Sequence, residues 1–175
     1  MKKVLVVVDM QNDFIDGALG TKEAVSIIEK SVEKIKNFDG EIFVTMDTHY
    51  KNYMQTREGK MLPIPHCIEN TNGWQLNKKI SDALINKSYT IIRKNTFGSV
   101  ELPKIIKQIV NTTDFSIELI GVCTDICVVS NALILKANFP ENEIIVDIEC
   151  CAGSTPNNHN SAYEILKICQ VTLDN

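Results

Sequence analysis

The segment Gly121-Val122-Cys123-Thr124-Asp125-Ile126-Cys127-Val128 runs from an apolar strand pattern into a helix pattern and sets a cysteine at the start of that helix. Helix N-termini present unpaired N–H groups and the positive end of the macrodipole, which stabilise a thiolate and any oxyanion beside it. A thiol there is primed as a nucleophile, against the competing reading of a buried packing cysteine. Two more strand patterns end in charge: Val4-Leu5-Val6-Val7-Val8 stops at Asp9, and Thr90-Ile91-Ile92 runs into Arg93-Lys94. In open α/β sheets ligands bind beyond the carboxyl ends of the strands, so Asp9, Lys94 and Cys127 are predicted to converge there. An acid, a base and a thiol would then share one crevice.

A second group follows the next strand pattern. Asp47 and His49 are two apart, so on extended chain both side chains point to one side. Glu58 and His66 come later in the same stretch. Oxygen and imidazole ligands suit zinc, iron or manganese. The competing reading is a polar strand termination. Cys67 adjoins His66, but neighbouring side chains on extended chain diverge, which sets it aside as a ligand.

The elements that must position these groups alternate β and α. Strands are predicted at about 3–8, 41–46, 88–93, 116–121 and 143–147, with a short one near 170–173. Thr21 caps a predicted helix through Ala24, Ile27, Ile28, Val32 and Ile35, closed by Lys36-Asn37-Phe38-Asp39-Gly40; further helices fit about 76–84, 100–111, 125–138 and 157–168. Nearly continuous apolar strands joined by helices predict a mostly parallel sheet covered on both faces, a three-layer Rossmann-like α/β sandwich. Residues 1–175 read as one domain with a sizeable core. The stretch at about 47–75 is too long for a neutral connection and is predicted to be a functional loop.

The 175 residues carry a net charge of −4, and basic residues cluster no further than pairs such as Lys78-Lys79, which argues against a nucleic-acid partner. Five apolar residues between Lys3 and Asp9 are too few for a secretion core, and no run approaches a membrane span. Six cysteines without CxxC or zinc-finger spacing read as reduced thiols of a cytoplasmic protein. Cys150, Cys151 and Cys169 read as packing residues, and His159 as structural.

Asp9-Met10-Gln11-Asn12-Asp13-Phe14, Asp47-Thr48-His49, Pro65-His66-Cys67, Lys94 with Phe97 and Ser99, and the Gly121 to Val128 segment occur in one order along most of the chain. Together they resemble the isochorismatase-like cysteine hydrolases, and within them the nicotinamidase (pyrazinamidase) branch. The resemblance implies the isochorismatase-like hydrolase fold and Cys127 as the nucleophile, with Cys123 at a position where relatives usually have alanine. Asp9 would take the thiol proton, while Lys94 would hold Asp9 ionised and favour the thiolate. The backbone N–H groups of Cys123 and Cys127 would form the oxyanion hole, with a cis Val122–Cys123 peptide. It further implies Asp47, His49, Glu58 and His66 around a divalent metal, zinc before iron or manganese, that orients a pyridine ring.

Some relatives place a histidine ligand where this chain has Tyr53. Phe14, Leu62 and Phe97 are expected in the substrate pocket. Thr48 replaces a frequent tryptophan, and Leu62 lies where an aromatic often packs on the ring. The expected activity is hydrolysis of nicotinamide to nicotinate and ammonia through a Cys thioester, in a homo-oligomer. The alternatives are a cysteine amidohydrolase of another small amide or carbamoyl compound, and a non-catalytic binding protein of the same fold.

Overall fold

The run Val4–Val8 is apolar throughout because the strand it forms is covered on both faces. In the computed structural model, which describes residues 1–174, β1 (Lys2–Val8) lies at the centre of a six-stranded sheet with β2 (Glu41–Asp47), β3 (Tyr89–Lys94), β4 (Phe115–Val122), β5 (Ile144–Ala152) and β6 (Thr172–Asp174). The order is β3-β2-β1-β4-β5-β6, and every pairing is parallel. Such an order reverses direction at the junction of β1 and β4, and a crevice opens there beyond the carboxyl ends.

Alternate β1 side chains feed two cores. Val4, Val6 and Val8 pack with Leu102 and Ile106 of α6 (Leu102–Val110), Ala132 and Leu135 of α7 (Val129–Asn138), and Leu166 of α8 (Pro156–Ile168). Leu5 and Val7 pack with Ile28 and Ile35 of α3 (Ile28–Asn37) and Ile80 and Leu84 of α5 (Lys78–Leu84). Val8 of β1 lies in register with Gly121 of β4. Gly121 has φ +123°, and a side chain there would overlap the Val8 carbonyl oxygen, so only glycine lets the two strands approach.

The helix expected from Thr21 to Asn37 is two helices, α2 (Lys22–Ser26) and α3, broken at Ile27. Thr21 caps the first by accepting from the Ala24 N–H at 3.0 Å. The break follows Ser26, whose hydroxyl bonds back to the Glu23 carbonyl at 2.7 Å and competes with continuation. β5 also runs past its expected end at 147. The Asp147 carboxylate accepts from the N–H groups of Glu149 and Cys150, absorbing a register shift that lets the strand resume.

The stretch after β2 is partly ordered into a 3₁₀ turn (Tyr53–Gln55) and α4 (Arg57–Met61), capped by Thr56; α1 (Asn12–Ile15) follows β1. Among the described residues no helix is long and apolar enough to cross a membrane.

Candidate active site

Each chemical side chain stands at the carboxyl end of a strand. Asp9 follows β1 with φ +50°, a left-handed conformation that turns its carboxylate inward, and it is fully buried. Thr45 of β2 donates its hydroxyl to Asp9 Oδ1 at 2.7 Å. Lys94 closes β3, and its Nζ lies 2.6 Å from Asp9 Oδ2, 3.6 Å from Asp47 Oδ1 and 3.8 Å from Cys127 Sγ. Cys127 belongs to a π-helical turn (Thr124–Val128) that leads into α7, and the Val122–Cys123 peptide before it is cis.

The electrostatics set the resting protonation of this group. Burial lifts the Asp9 carboxyl above its usual range, although the ammonium of Lys94 pulls the other way. Burial alone would lower Lys94, but the charges of Asp9, Cys127 and Asp47 outweigh it and keep the amine protonated. Burial and the Asp9 charge push the Cys127 thiol well up, against Lys94. The resting nucleophile is therefore a thiol beside an acceptor. Lys94 acts toward the thiolate, while desolvation of a side chain only 5 % exposed acts against it.

Beside it, Asp47, His49 and His66 gather ligand atoms within 4.8 Å of one another. His49 Nε2 is 3.0 Å from Asp47 Oδ2, and His66 Nε2 is 3.6 Å from the same oxygen. Glu58 Oε1 lies 3.6 Å from His49 Nε2 and 3.7 Å from His66 Nε2. His66 Nδ1 faces the Ile64 carbonyl at 2.8 Å, so a proton there leaves Nε2 with its lone pair toward the cluster. Two imidazoles and the Asp47 carboxylate, with Glu58 beside both histidines, fit a zinc-like divalent ion. Asp47 is held well below the usual carboxylate range: burial raises it, but the neighbouring imidazoles of His49 and His66 and the charge of Lys94 prevail.

Tyr53 is buried with its ring edge-on to both histidines, and its hydroxyl donates to the Leu62 carbonyl at 2.9 Å, away from the cluster. A cavity of about 320 Å³ opens beside His49, Tyr53, Glu58 and Asn95. Phe14 is buried with its ring 5.4 Å from that of His66. Leu62 is half-buried, and Phe97 stands 51 % exposed on the loop after β3. Cys67 is buried and gives its N–H to Asp13 Oδ2 at 2.7 Å, which ties the His66 segment to α1. His159 lies apart, against the Thr124 hydroxyl at 2.9 Å.

Gln11 was not legible as a site residue. Its side-chain amide accepts from the Asp47 N–H at 2.7 Å and donates to the Asp47 carbonyl at 2.8 Å and the Trp74 carbonyl at 2.7 Å. That fully buried clamp fixes the backbone of Asp47. Its position in Asp9-Met10-Gln11 hints at importance, but nothing local points to a partner on another strand.

The isochorismatase domain model matches residues 3–174. The chain is 26 % identical over 207 aligned positions to the nicotinamidase of Saccharomyces cerevisiae, covering 94 % of this chain and 95 % of that one. The pyrazinamidase of Pyrococcus horikoshii, solved in complex with zinc, superposes with a TM-score of 0.82 at 27 % identity over 99 % of this chain and 98 % of its own. The nicotinamidase/pyrazinamidase PncA of Bacillus subtilis superposes with a TM-score of 0.86 over 100 % of both chains, a likeness of fold at 22 % identity.

Proposed function

Since this chain belongs to the isochorismatase family, we propose that it is an amidohydrolase that converts nicotinamide to nicotinate and ammonia through a thioester on Cys127. The observation that carries this reading is the single ammonium of Lys94, which touches Asp9, Cys127 and Asp47 and so joins an acid–thiol pair to the Asp47–His49–His66 cluster.

Asp9 takes the Cys127 proton as Sγ attacks the carboxamide carbon, so charge separates only when a substrate is present to receive it. The N–H groups of Cys123 and Cys127 are the donors assigned to the resulting oxyanion. Asp9 then returns the proton to the departing nitrogen, and ammonia leaves with the C–N bond broken. Water next gives a proton to Asp9 while its oxygen bonds the thioester carbon; the C–S bond breaks, nicotinate departs and Cys127 regains its proton. Asp47, His49, His66 and Glu58 would hold a divalent ion, zinc before iron or manganese. When bound, that ion supplies a Lewis-acid anchor for the pyridine nitrogen. Six free thiols support assignment to a reducing compartment, the cytoplasm.

Ammonia release from nicotinamide by zinc-loaded protein tests the reading, with Cys127→Ala and chelated protein alongside. Turnover is expected only in the loaded wild type; turnover that survives Cys127→Ala would overturn it. A second reading, hydrolysis of another small amide, is favoured by one observation: Leu62 offers no ring face, and Phe97 is half exposed. It predicts that loaded protein ignores nicotinamide and releases ammonia from an aliphatic or carbamoyl substrate.

A further inference from the structure

Asn131 lies one turn beyond Cys127 on the same helix and is fully buried. Its Nδ2 donates to the Cys127 carbonyl at 2.8 Å and to the Phe97 carbonyl at 3.4 Å, while Oδ1 accepts from the Ser99 N–H at 2.9 Å. These partners fix the amide's orientation, because a backbone N–H must meet its oxygen and two carbonyls its nitrogen. The segment so held starts directly after Lys94. Asn95 borders the cavity beside His49 and Glu58, and Gly98 packs closely on Ser130 and Ile134 of α7. Ser99 anchors the far end, its hydroxyl accepting from the Leu102 N–H at 3.2 Å. With Phe97 half exposed, apolar burial of that ring does little to seat the segment. A buried side-chain amide links it to the nucleophile's turn.

We infer that Asn131 is a positioning residue: it fixes the Asn95–Ser99 wall, with Phe97, against the turn that carries Cys127, and so sets how tightly the ring of a small aromatic amide is held. The inference rests on the nicotinamidase reading. Among Asp9, Lys94 and Cys127 this bridge touches Cys127 alone, through its backbone carbonyl, while the Asp9–Lys94 pair and the contact of Cys127 Sγ with Lys94 are made without the bridge. Its loss therefore weakens ground-state and transition-state binding alike, which raises KM and spares kcat.

The test compares kcat and KM for nicotinamide in zinc-loaded wild type, Asn131→Ala, Phe97→Ala and the double variant, with hydrogen exchange at the Ser99 amide followed in each. Asn131→Ala is expected to raise KM about tenfold, the size of one buried hydrogen bond, with kcat within about threefold. Ser99 exchange should quicken, and the double variant should match the KM of Phe97→Ala, since both changes act through one wall. Multiplying KM effects, or a fall in kcat at constant KM, would overturn the inference. Should Asn131→Ala not fold, Asn131→Asp keeps the acceptor for Ser99 but sets an oxygen against both carbonyls; its KM must rise, and an unchanged value overturns the inference. A wild type silent on nicotinamide would defeat the activity and not the bridge, which unaltered Ser99 exchange in Asn131→Ala would defeat.

Discussion

The Asp9 charge opposes ionisation of the Cys127 thiol, yet the proposed reaction makes Asp9 the acceptor of its proton. Its charge disfavours the thiolate at rest, and in the proposed reaction the transfer waits until a carbonyl is in reach. Asp9→Asn separates these effects. Removing the negative charge lowers the Cys127 pKa, so alkylation by iodoacetamide at neutral pH should become faster than in the wild type. Turnover should fall by about 10²- to 10⁴-fold, the usual worth of a general acid–base. Parallel alkylation and ammonia assays check both signs, and a variant that is slower in both would contradict this division of roles.

At the level of elements, the approach of β1 to β4 sets the crevice, and Gly121 permits it. Gly121→Ala requires an unfavourable φ and drives a methyl group into the Val8 carbonyl. Urea unfolding should show a loss of at least ~2 kcal/mol from strain and overpacking together. The strands were legible because Val4–Val8 is an apolar run, and Phe115–Val122 a mostly apolar stretch, long enough for a doubly covered sheet and too short for a core helix. The end of β5 was not: the strand pattern stops at Asp147, and it resumes because the Asp147 carboxylate bonds the backbone beyond it. The break at Ile27 was hidden for a related reason, since the Ser26 hydroxyl competes with a helix that periodicity alone would continue. Asp9, Lys94 and Cys127 were legible as charge and sulfur at strand ends. Gln11 and Asn131 were not, because each bonds backbone groups of a segment distant in sequence.

Across the whole molecule, four free thiols are buried, Cys67, Cys127, Cys150 and Cys151, and Cys123 is half-buried. Cys67, Cys123, Cys127, Cys150 and Cys151 all have their pKa raised above 9.0, burial being the largest cause for each. For Cys123 and Cys150 the value is pushed up to about 12. Below pH 9 folded and unfolded chains hold these protons equally, and the thiols' full contribution to stability is present. Above it the unfolded chain releases protons that the folded one keeps, so stability falls as pH rises, by up to about 1.4 kcal/mol per thiol per pH unit. Urea midpoints between pH 8 and pH 11 should drop steeply, and Cys151→Ala should flatten the slope; a midpoint constant over that range would contradict the linkage.

The ammonium shared by Asp9 and Asp47 also constrains how such a protein can change over generations. Substitutions in the acid–thiol pair and at Asp47 meet at one charge, so their effects are expected to be non-additive, because both contact a common partner. A lineage that discards Asp47 alters the setting of Lys94, and with it the resting proton of Cys127, in the same step.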